Sequence, residues 1–315
     1  MGYGYIKFLQ KLMKAKNSFE PKHAPSTETL DGGIIYVKEI GYAKKYPNSF
    51  LDLYLREDAK ERVCPTYIFV HGGGYTWGDK DDCDAKYRKG GNHTVLKQFV
   101  KKGYNVAVIN YALAPEYSYP TPLLQLFQAV SWLQEHGGEY GVKLDRVVLG
   151  GGSAGGNVVG QFVNIHTNTE YAREMKMKPL LRREQLAAVV FNCALLDNER
   201  FAEVGRDKPY KMFLRCGQAY FHCEELKGNP QAMQSDVIEY ATEAFPPTYI
   251  TEANVDSFMA QAVDLDQKLT RLGVTHVLNM YPKEQVKLRH GYDEFGGETA
   301  EENLRKTLAF LEAVV

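Results

Sequence analysis

The chain has 315 residues, of which 44% are hydrophobic and 12% aromatic, enough for a sizeable buried core. Its 38 basic and 39 acidic side chains give a net charge of −1, so no long-range field draws nucleic acid or an anionic membrane surface. The apolar runs are too short to span a bilayer, and five cysteines without paired spacing favour a reducing cytoplasm and no metal site.

Short apolar runs alternate with longer amphipathic ones. An amphipathic helix over the body of the protein is predicted for residues 1–16, and two runs that alternate apolar with polar residues follow at 33–40 and 50–57, as in half-exposed antiparallel strands. Compact β-branched runs at 66–70 and 146–150 are typical of buried parallel strands. We predict one α/β domain over residues 1–315, with a mostly parallel central sheet, an antiparallel edge and helices on both faces.

The alternation breaks at about residues 196–245. This segment is polar and rich in aromatic residues, and it contains no run that is typical of a buried strand. We predict that it is an inserted helical lid.

The stretch DRVVLGGGSAGGNVVG, residues 145–160, fits two incompatible patterns. Gly150, Gly152 and Gly155 match the G-x-G-x-x-G pattern of dinucleotide-binding proteins, and Glu170 is spaced for a ribose contact. The same letters match G-x-S-x-G centred on Ser153, a sharp turn that exposes a nucleophilic serine. The rest of the chain must decide between them.

A serine nucleophile needs donors for an oxyanion. The glycine-rich FVHGGGYTWG follows a predicted buried strand, and its glycines leave backbone N–H groups unobstructed. The expected donors are Gly72, Gly73 and Ala154, the residue after the serine. His71 is interpreted as a structural hydrogen-bonding residue of this loop.

A serine nucleophile also needs a base and a group that orients the base. His290, in the loop after the last predicted strand, is the candidate base, whereas His276 lies inside an apolar run. Asp256, at a strand-to-helix junction, is the candidate acid; capping of the helix is its simpler role, and the two roles are compatible. The order Ser153, Asp256, His290 is the one expected of an α/β-hydrolase, whereas the dinucleotide interpretation explains the glycine stretch alone.

Together these motifs resemble the hormone-sensitive-lipase-like family of α/β-hydrolases, which includes many bacterial carboxylesterases. The matching motifs are HGGGY at residues 71–75, YALAPE at 111–116, GGSAGGN at 151–157, PPTYITEANVD ending at Asp256, and HGY at 290–292. The resemblance implies an α/β-hydrolase fold whose cap combines residues 1–32 with about 196–245. The chain departs from the family pattern at Gly152, where Asp is frequent, and at Ala260 and Gln261, where a second acidic residue is frequent.

The function expected from these residues is hydrolysis of short-acyl carboxylic esters through an acyl-enzyme on Ser153, with no metal or organic cofactor. Tyr75 and Trp77 are expected to wall the pocket. The expected partner is a small-molecule ester, and a homodimer is left open. Two alternatives remain: hydrolysis of small aryl amides or formamides, and non-catalytic binding of a small molecule on the same fold.

Overall fold

A computed structural model of the protein describes residues 3–80, 92–294 and 296–315. The strands of this part of the chain are β1 (Ser26–Leu30), β2 (Ile34–Gly41), β3 (Phe50–Arg56), β4 (Thr66–Val70), β5 (Asn105–Ile109), β6 (Val147–Gly152), β7 (Leu186–Asn192), β8 (Thr248–Glu252) and β9 (His276–Met280). The helices are α1 (Gly4–Leu12), α2 (Asn92–Lys101), α3 (Thr121–His136), α4 (Ala154–Thr167), α5 (Thr169–Glu174), α6 (Lys211–Phe221), α7 (Pro230–Gln234), α8 (Val237–Tyr240), α9 (Met259–Leu272) and α10 (Glu298–Val314).

These strands form one sheet in the order β1-β2-β3-β5-β4-β6-β7-β8-β9. The pairs from β1 to β5 along this order are antiparallel, and all the later pairs are parallel. The predicted parallel sheet with an antiparallel edge is confirmed. Strand β1 was not predicted, because its sequence STETL is polar and largely exposed at the sheet edge.

Helices cover both faces of the sheet. Ile68 and Val70 of β4 belong to one core cluster, with residues of α3 and α4, whereas the intervening Tyr67 and Phe69 belong to a second cluster, with residues of α2 and α10. Alternate side chains of a strand point to opposite faces, so each face is buried under its own helix layer.

The segment of residues 196–245 contains the short helices α6, α7 and α8, and α1 lies beside α6. Ile6 of α1 is buried, and Gln10 donates hydrogen bonds to the carbonyl oxygens of Thr76 and Ala114, both at 2.9 Å. The predicted N-terminal helix is therefore fastened to the body of the protein. Residues 1–32 also contain β1, which pairs with β2 in the central sheet.

The carboxyl ends of the parallel strands lie along one edge of the sheet, where open α/β sheets bind ligands. The loops that leave this edge carry Gly72 after β4, Ser153 after β6, Ser257 after β8 and His290 after β9. Chemistry-bearing residues from four distant parts of the sequence are thereby collected in one place. Within the described ranges, no helix has the length and apolar content needed to cross a membrane.

Candidate active site

Ser153 occupies the turn between β6 and α4. Its backbone has φ 50° and ψ −119°, a conformation that is strained for a residue other than glycine. The turn is tight, because a Cβ on Gly151 would lie 2.5 Å from the carbonyl oxygen of Gly155. The serine therefore sits on the strained strand-to-helix turn that G-x-S-x-G predicts.

The space beside the glycines of this stretch is occupied by other protein atoms. A Cβ on Gly150 would lie 2.0 Å from the hydroxyl of Tyr67, and one on Gly155 would lie 2.2 Å from the carbonyl oxygen of Val70. Glu170 is exposed in the first turn of α5. Close protein packing therefore explains these glycines, and the dinucleotide interpretation receives no support.

Ser153 and His290 are brought together as expected. The serine Oγ lies 2.9 Å from Nε2 of His290, within hydrogen-bonding distance. The imidazole packs edge-on against Phe213 and Phe258, with ring centroids 5.3 Å and 5.0 Å away. Burial lowers the pKa of His290 to about 4, so the ring is uncharged at neutral pH.

Asp256 and His290 are not brought together. Asp256 forms a bidentate ion pair with Arg206, with Oδ1 2.6 Å from Nε and Oδ2 3.1 Å from Nη2. These hydrogen bonds to the guanidinium lower the pKa of the Asp256 carboxyl group. No hydrogen bond joins Asp256 to His290 in the described part of the chain. The expected contact of Asp256 with the histidine is therefore missing, since its carboxylate is paired with Arg206 instead.

A serine that the sequence analysis did not identify faces the histidine instead. Oγ of Ser257 lies 2.8 Å from Nδ1 of His290, and the same hydroxyl donates a hydrogen bond to Oε1 of Glu252. The backbone N–H of Ala253 donates to that oxygen as well, at 2.8 Å. Burial raises the pKa of Glu252 to about 8. One signal pointed to Glu252: an acidic residue ends an otherwise uncharged, fully buried strand, where a charge is costly.

The loop after β4 lies against the serine, and two of its carbonyl oxygens face Tyr111. A Cβ on Gly72 would lie 3.1 Å from Cβ of Ser153. The hydroxyl of Tyr111 lies within hydrogen-bonding distance of two carbonyl oxygens, that of His71 at 3.0 Å and that of Gly72 at 2.9 Å. In a trans peptide the C=O and N–H groups point in opposite directions, so the N–H groups of Gly72 and Gly73 point away from Tyr111.

No protein acceptor for these two N–H groups lies within the described ranges. The third expected donor, the N–H of Ala154, belongs to the first residue of α4, where backbone donors lack an intrahelical partner. His71 itself stacks on Tyr111 with ring centroids 4.1 Å apart and hydrogen-bonds Asn110 at 2.9 Å. This arrangement agrees with a structural role for His71.

A cavity of about 280 Å³ opens at Ser153. Its lining includes Met13, Trp77, Tyr210, Met212, Phe213 and Arg289. Trp77 is therefore placed as expected, but Tyr75 is not. Tyr75 is fully buried in the core, where it stacks on Tyr220 at 3.7 Å and its hydroxyl donates to Asn198, because the left-handed backbone after the glycines turns it inward.

The departures from the family pattern have structural counterparts. Beside Gly152, where the family often has Asp, Oε1 of Glu294 lies 2.9 Å from the point at which a Cβ would sit. A carboxylate from a different loop thus occupies that space. Gln261, where a second acidic residue is frequent, is buried and accepts hydrogen bonds from the N–H groups of Leu196 and Asp197, at 2.8 Å and 2.9 Å. It fixes the start of the segment of residues 196–245.

Cys193, Glu252 and His290 offer possible metal-ligand atoms within 4.8 Å of one another. Metals bind the deprotonated thiolate, but burial raises the pKa of Cys193 well above its ordinary value. Nδ1 of His290 already contacts Ser257. The donor set is therefore a poor match for a structural metal.

Residues 67–288 match a family of proteins described as alpha/beta hydrolase fold. The esterase LipI of Mycobacterium tuberculosis is 26% identical to this chain over 238 residues, which cover 74% of the chain and 67% of LipI. An arylesterase of Saccharolobus solfataricus is 32% identical over 180 residues, which cover 53% of the chain and about half, 54%, of the arylesterase.

Two solved structures show the same fold. Esterase B of Lactobacillus rhamnosis has a TM-score of 0.73 and 21% identity, over 91% of this chain and 88% of that one. A bacterial heroin esterase has a TM-score of 0.67 and 18% identity, over 99% of this chain and 91% of that one. The match over residues 67–288 covers most of the chain, confirms the resemblance drawn from the motifs and shows that the protein belongs to the α/β-hydrolase family.

Proposed function

We propose that the protein is a carboxylesterase that cleaves short-acyl esters through an acyl-enzyme on Ser153. The observation that carries the proposal is the 2.9 Å contact between Ser153 Oγ and His290 Nε2 at a strained strand-to-helix turn. A serine so placed is exposed to substrate, and a neutral imidazole at that distance can remove its proton. The named esterases among the relatives support the same reaction class.

The proposed reaction has two halves. Ser153 Oγ attacks the ester carbonyl carbon while Nε2 of His290 takes the hydroxyl proton, and the proton then passes to the departing alkoxide as the C–O bond breaks. Water attacks the acyl-enzyme in the second half, again losing its proton to His290, and Ser153 is regenerated as the carboxylic acid leaves. No redox partner is required.

The negative oxygen of each tetrahedral intermediate needs donors that are already oriented. We assign this role to the N–H groups of Gly72, Gly73 and Ala154. The Tyr111 hydroxyl supports the assignment, since its single O–H group is shared between the carbonyl oxygens of His71 and Gly72 and holds both on the opposite side of the chain. Removing one donor of this kind typically lowers kcat by about a hundredfold to a thousandfold.

The cavity supports a small substrate. Its volume of about 280 Å³ lies just below the usual range for ligand pockets, roughly 300 to 1,000 Å³. Met13 near α1 and Tyr210, Met212 and Phe213 from the segment of residues 196–245 line it, which supports the proposal that these two segments cap the pocket. Trp77 is the proposed aromatic wall.

The cellular setting is also a proposal. Cys64, Cys193, Cys216 and Cys223 are free thiols, which supports a reducing compartment such as the cytoplasm. Cys83 lies outside the described residues. The homodimer stays a prediction.

The test is hydrolysis of p-nitrophenyl esters from acetate to laurate by the wild type and Ser153→Ala. Ser131→Ala, which removes an α3 hydroxyl that donates a hydrogen bond to Glu135 outside the cavity lining, is the matched control. We expect fastest turnover of the short esters, loss of nearly all turnover in Ser153→Ala and wild-type rates in the control. Unchanged hydrolysis by Ser153→Ala would reject the nucleophile. Faster cleavage of the matching p-nitroanilides would favour the amide alternative.

A further inference from the structure

The group that faces Nδ1 of His290 is a hydroxyl. Ser257 lies 2.8 Å from this nitrogen, although the residue before it, Asp256, is the acid that the family motif indicates. Asp256 is occupied by both arms of the Arg206 guanidinium. The side of the imidazole away from Ser153 therefore contacts the protein through Ser257.

Ser257 also donates a hydrogen bond to a buried carboxyl group. Glu252 is the last residue of β8 and is 1% exposed, and Ser257 is 3% exposed. Oε1 of Glu252 accepts hydrogen bonds from the Ser257 hydroxyl and from the Ala253 N–H. Because the acid is anchored on the central sheet and its side chain is enclosed, the hydroxyl between the acid and the imidazole has one well-defined position.

We propose that Ser257 and Glu252 together position and polarise His290, in the role for which the sequence pattern nominated Asp256. This inference rests on the proposed function, since it takes His290 to be the base for Ser153. The two residues do not touch the reacting atoms. They act through the imidazole, and the contacts run from Glu252 to Ser257 to His290 to Ser153.

Hydrogen-bond direction explains how such a chain selects the productive tautomer. When Glu252 is ionised, its oxygen can only accept, so Ser257 donates to it and accepts from Nδ1–H of His290. Nε2 is then free to accept the proton of Ser153. A protonated Glu252 no longer imposes this direction: if Oε1 carries the proton, Ser257 can accept from it and donate to Nδ1, and the ring proton then sits on Nε2, where it prevents Nε2 from accepting.

The surroundings of Glu252 make this switch sensitive to pH. Burial raises the pKa of Glu252 to about 8, and the Asp293 carboxylate adds to the shift. Cys193, on the loop after β7, is a further titratable group beside Glu252, and its thiol lies 3.6 Å from Asp293. Asp256 and Arg289 lie on the cavity side of His290. Activity should therefore rise as Glu252 loses its proton.

Substitutions separate the two acids. We expect Glu252→Gln and Ser257→Ala to lower kcat by about a hundredfold to ten-thousandfold, as loss of the tautomer-setting group does in serine hydrolases. Glu252→Asp and Ser257→Thr keep the functional groups and should recover part of the rate. Asp256→Asn should lower kcat far less, because it weakens an ion pair at a half-buried carboxylate of the cavity wall. Asp264→Asn, which weakens an exposed ion pair outside the cavity lining, is the matched control.

The pH profile distinguishes positioning from a merely structural role. Wild-type kcat/KM should rise through about pH 8, with the ionisation of Glu252, and this limb should be absent in Glu252→Gln. The melting temperature of each variant checks that it folds. A chelator should leave wild-type turnover unchanged; loss of turnover that zinc restores would assign Cys193, Glu252 and His290 to a metal and overturn the proposal.

A readout without turnover separates this inference from the proposed function. In NMR spectra of protein with isotope-labelled histidine, above about pH 8, the proton of His290 should sit on Nδ1 in the wild type. It should redistribute between the ring nitrogens in Glu252→Gln and Ser257→Ala. If the wild type is inactive but shows this NMR signature, the proposed esterase function is rejected and the positioning role of Ser257 and Glu252 stands. If the wild type is active and Asp256→Asn is the variant that abolishes turnover and moves the proton, the positioning role of Ser257 and Glu252 is rejected and the esterase function stands.

Discussion

The hydroxyl of Tyr111 lies 2.9 Å from the carbonyl oxygen of Gly72, and this contact turns the neighbouring N–H of Gly73 away from Tyr111. The same hydroxyl also holds the carbonyl oxygen of His71. Tyr111 is buried and stacks on the ring of His71, so its position is fixed from two sides. A residue from the YALAPE motif, outside the cavity lining, therefore sets the direction of the proposed oxyanion donors.

Tyr111→Phe keeps the stacked ring and removes the O–H donor shared between the two carbonyl oxygens. We expect kcat to fall by about tenfold to a hundredfold with little change in KM, since the oxyanion exists only in the transition state and the intermediates. Tyr249→Phe, which removes a buried hydroxyl bonded to Asn303 on the other face of the sheet, is the control. Equal losses of kcat in the two variants would show that Tyr111 contributes only to stability.

Gly73 and Gly103 have nearly the same backbone, with φ 93° and 95°, but different surroundings. A Cβ on Gly73 would lie 2.1 Å from the carbonyl oxygen of Trp77, whereas one on Gly103 would meet nothing within 4 Å. Gly103→Ala should cost only backbone strain, roughly 1 to 2 kcal/mol, and keep full activity. Gly73→Ala should cost more in unfolding free energy and lose most esterase activity, because the loop must shift. Denaturant unfolding and kcat, measured on both variants, test this difference. Equal effects would contradict the close contact of Gly73 with Trp77.

The raised pKa of Glu252 also affects stability. Its pKa is about 8 in the folded protein and 4.5 in an exposed carboxyl group, so between these values the folded state holds a proton that the unfolded chain has released. The stabilisation from Glu252 is complete below about 4.5 and is lost as the pH rises through about 8.

Glu252→Gln removes this dependence. The unfolding free energy of the variant minus that of the wild type should therefore increase steadily as the pH rises from about 4.5 to above about 8. Glu302→Gln, at a half-exposed carboxylate paired with Lys306, should show no such rise over this range. A difference for Glu252→Gln that is constant with pH would place the Glu252 pKa near its ordinary value.

Glu294 and Gly152 share one space, since Oε1 of Glu294 lies 2.9 Å from the Cβ point of Gly152. Gly152→Asp, which restores the residue frequent in the family, should place a second carboxylate there and lower both stability and kcat. Adding Glu294→Ala should recover part of the loss, because like charges at this distance repel. A double-mutant cycle measures the coupling. Additive effects of the two substitutions would show that the two positions do not interact.

Local patterns were enough to predict the sheet, the serine turn and the glycine loop. Each depends on residues close in sequence: buried β-branched runs, glycines that only a tight turn requires, and a serine between them. His290 was also predictable, because a histidine directly after the last strand must lie near the other strand ends. Its contact with Ser153 follows from the order of strands in the sheet.

The positions of the acid and of the aromatic pocket wall depend on residues that are distant in the sequence, so local patterns did not predict them. The direction of Asp256 is set by Arg206, which is fifty positions earlier in a segment without regular structure, and Ser257 then faces the histidine. Tyr75 points into the core, where it stacks on Tyr220 of α6. No spacing within the motifs encodes either contact, and β1 was missed because exposed polar residues form it.

The most direct test of the serine as nucleophile is mass spectrometry of the protein quenched during turnover of p-nitrophenyl butyrate. We expect one butyryl group on the peptide that contains Ser153 in the wild type and none in Ser153→Ala. Turnover without an acylated Ser153, or acylation of another residue that persists in Ser153→Ala, would contradict the account.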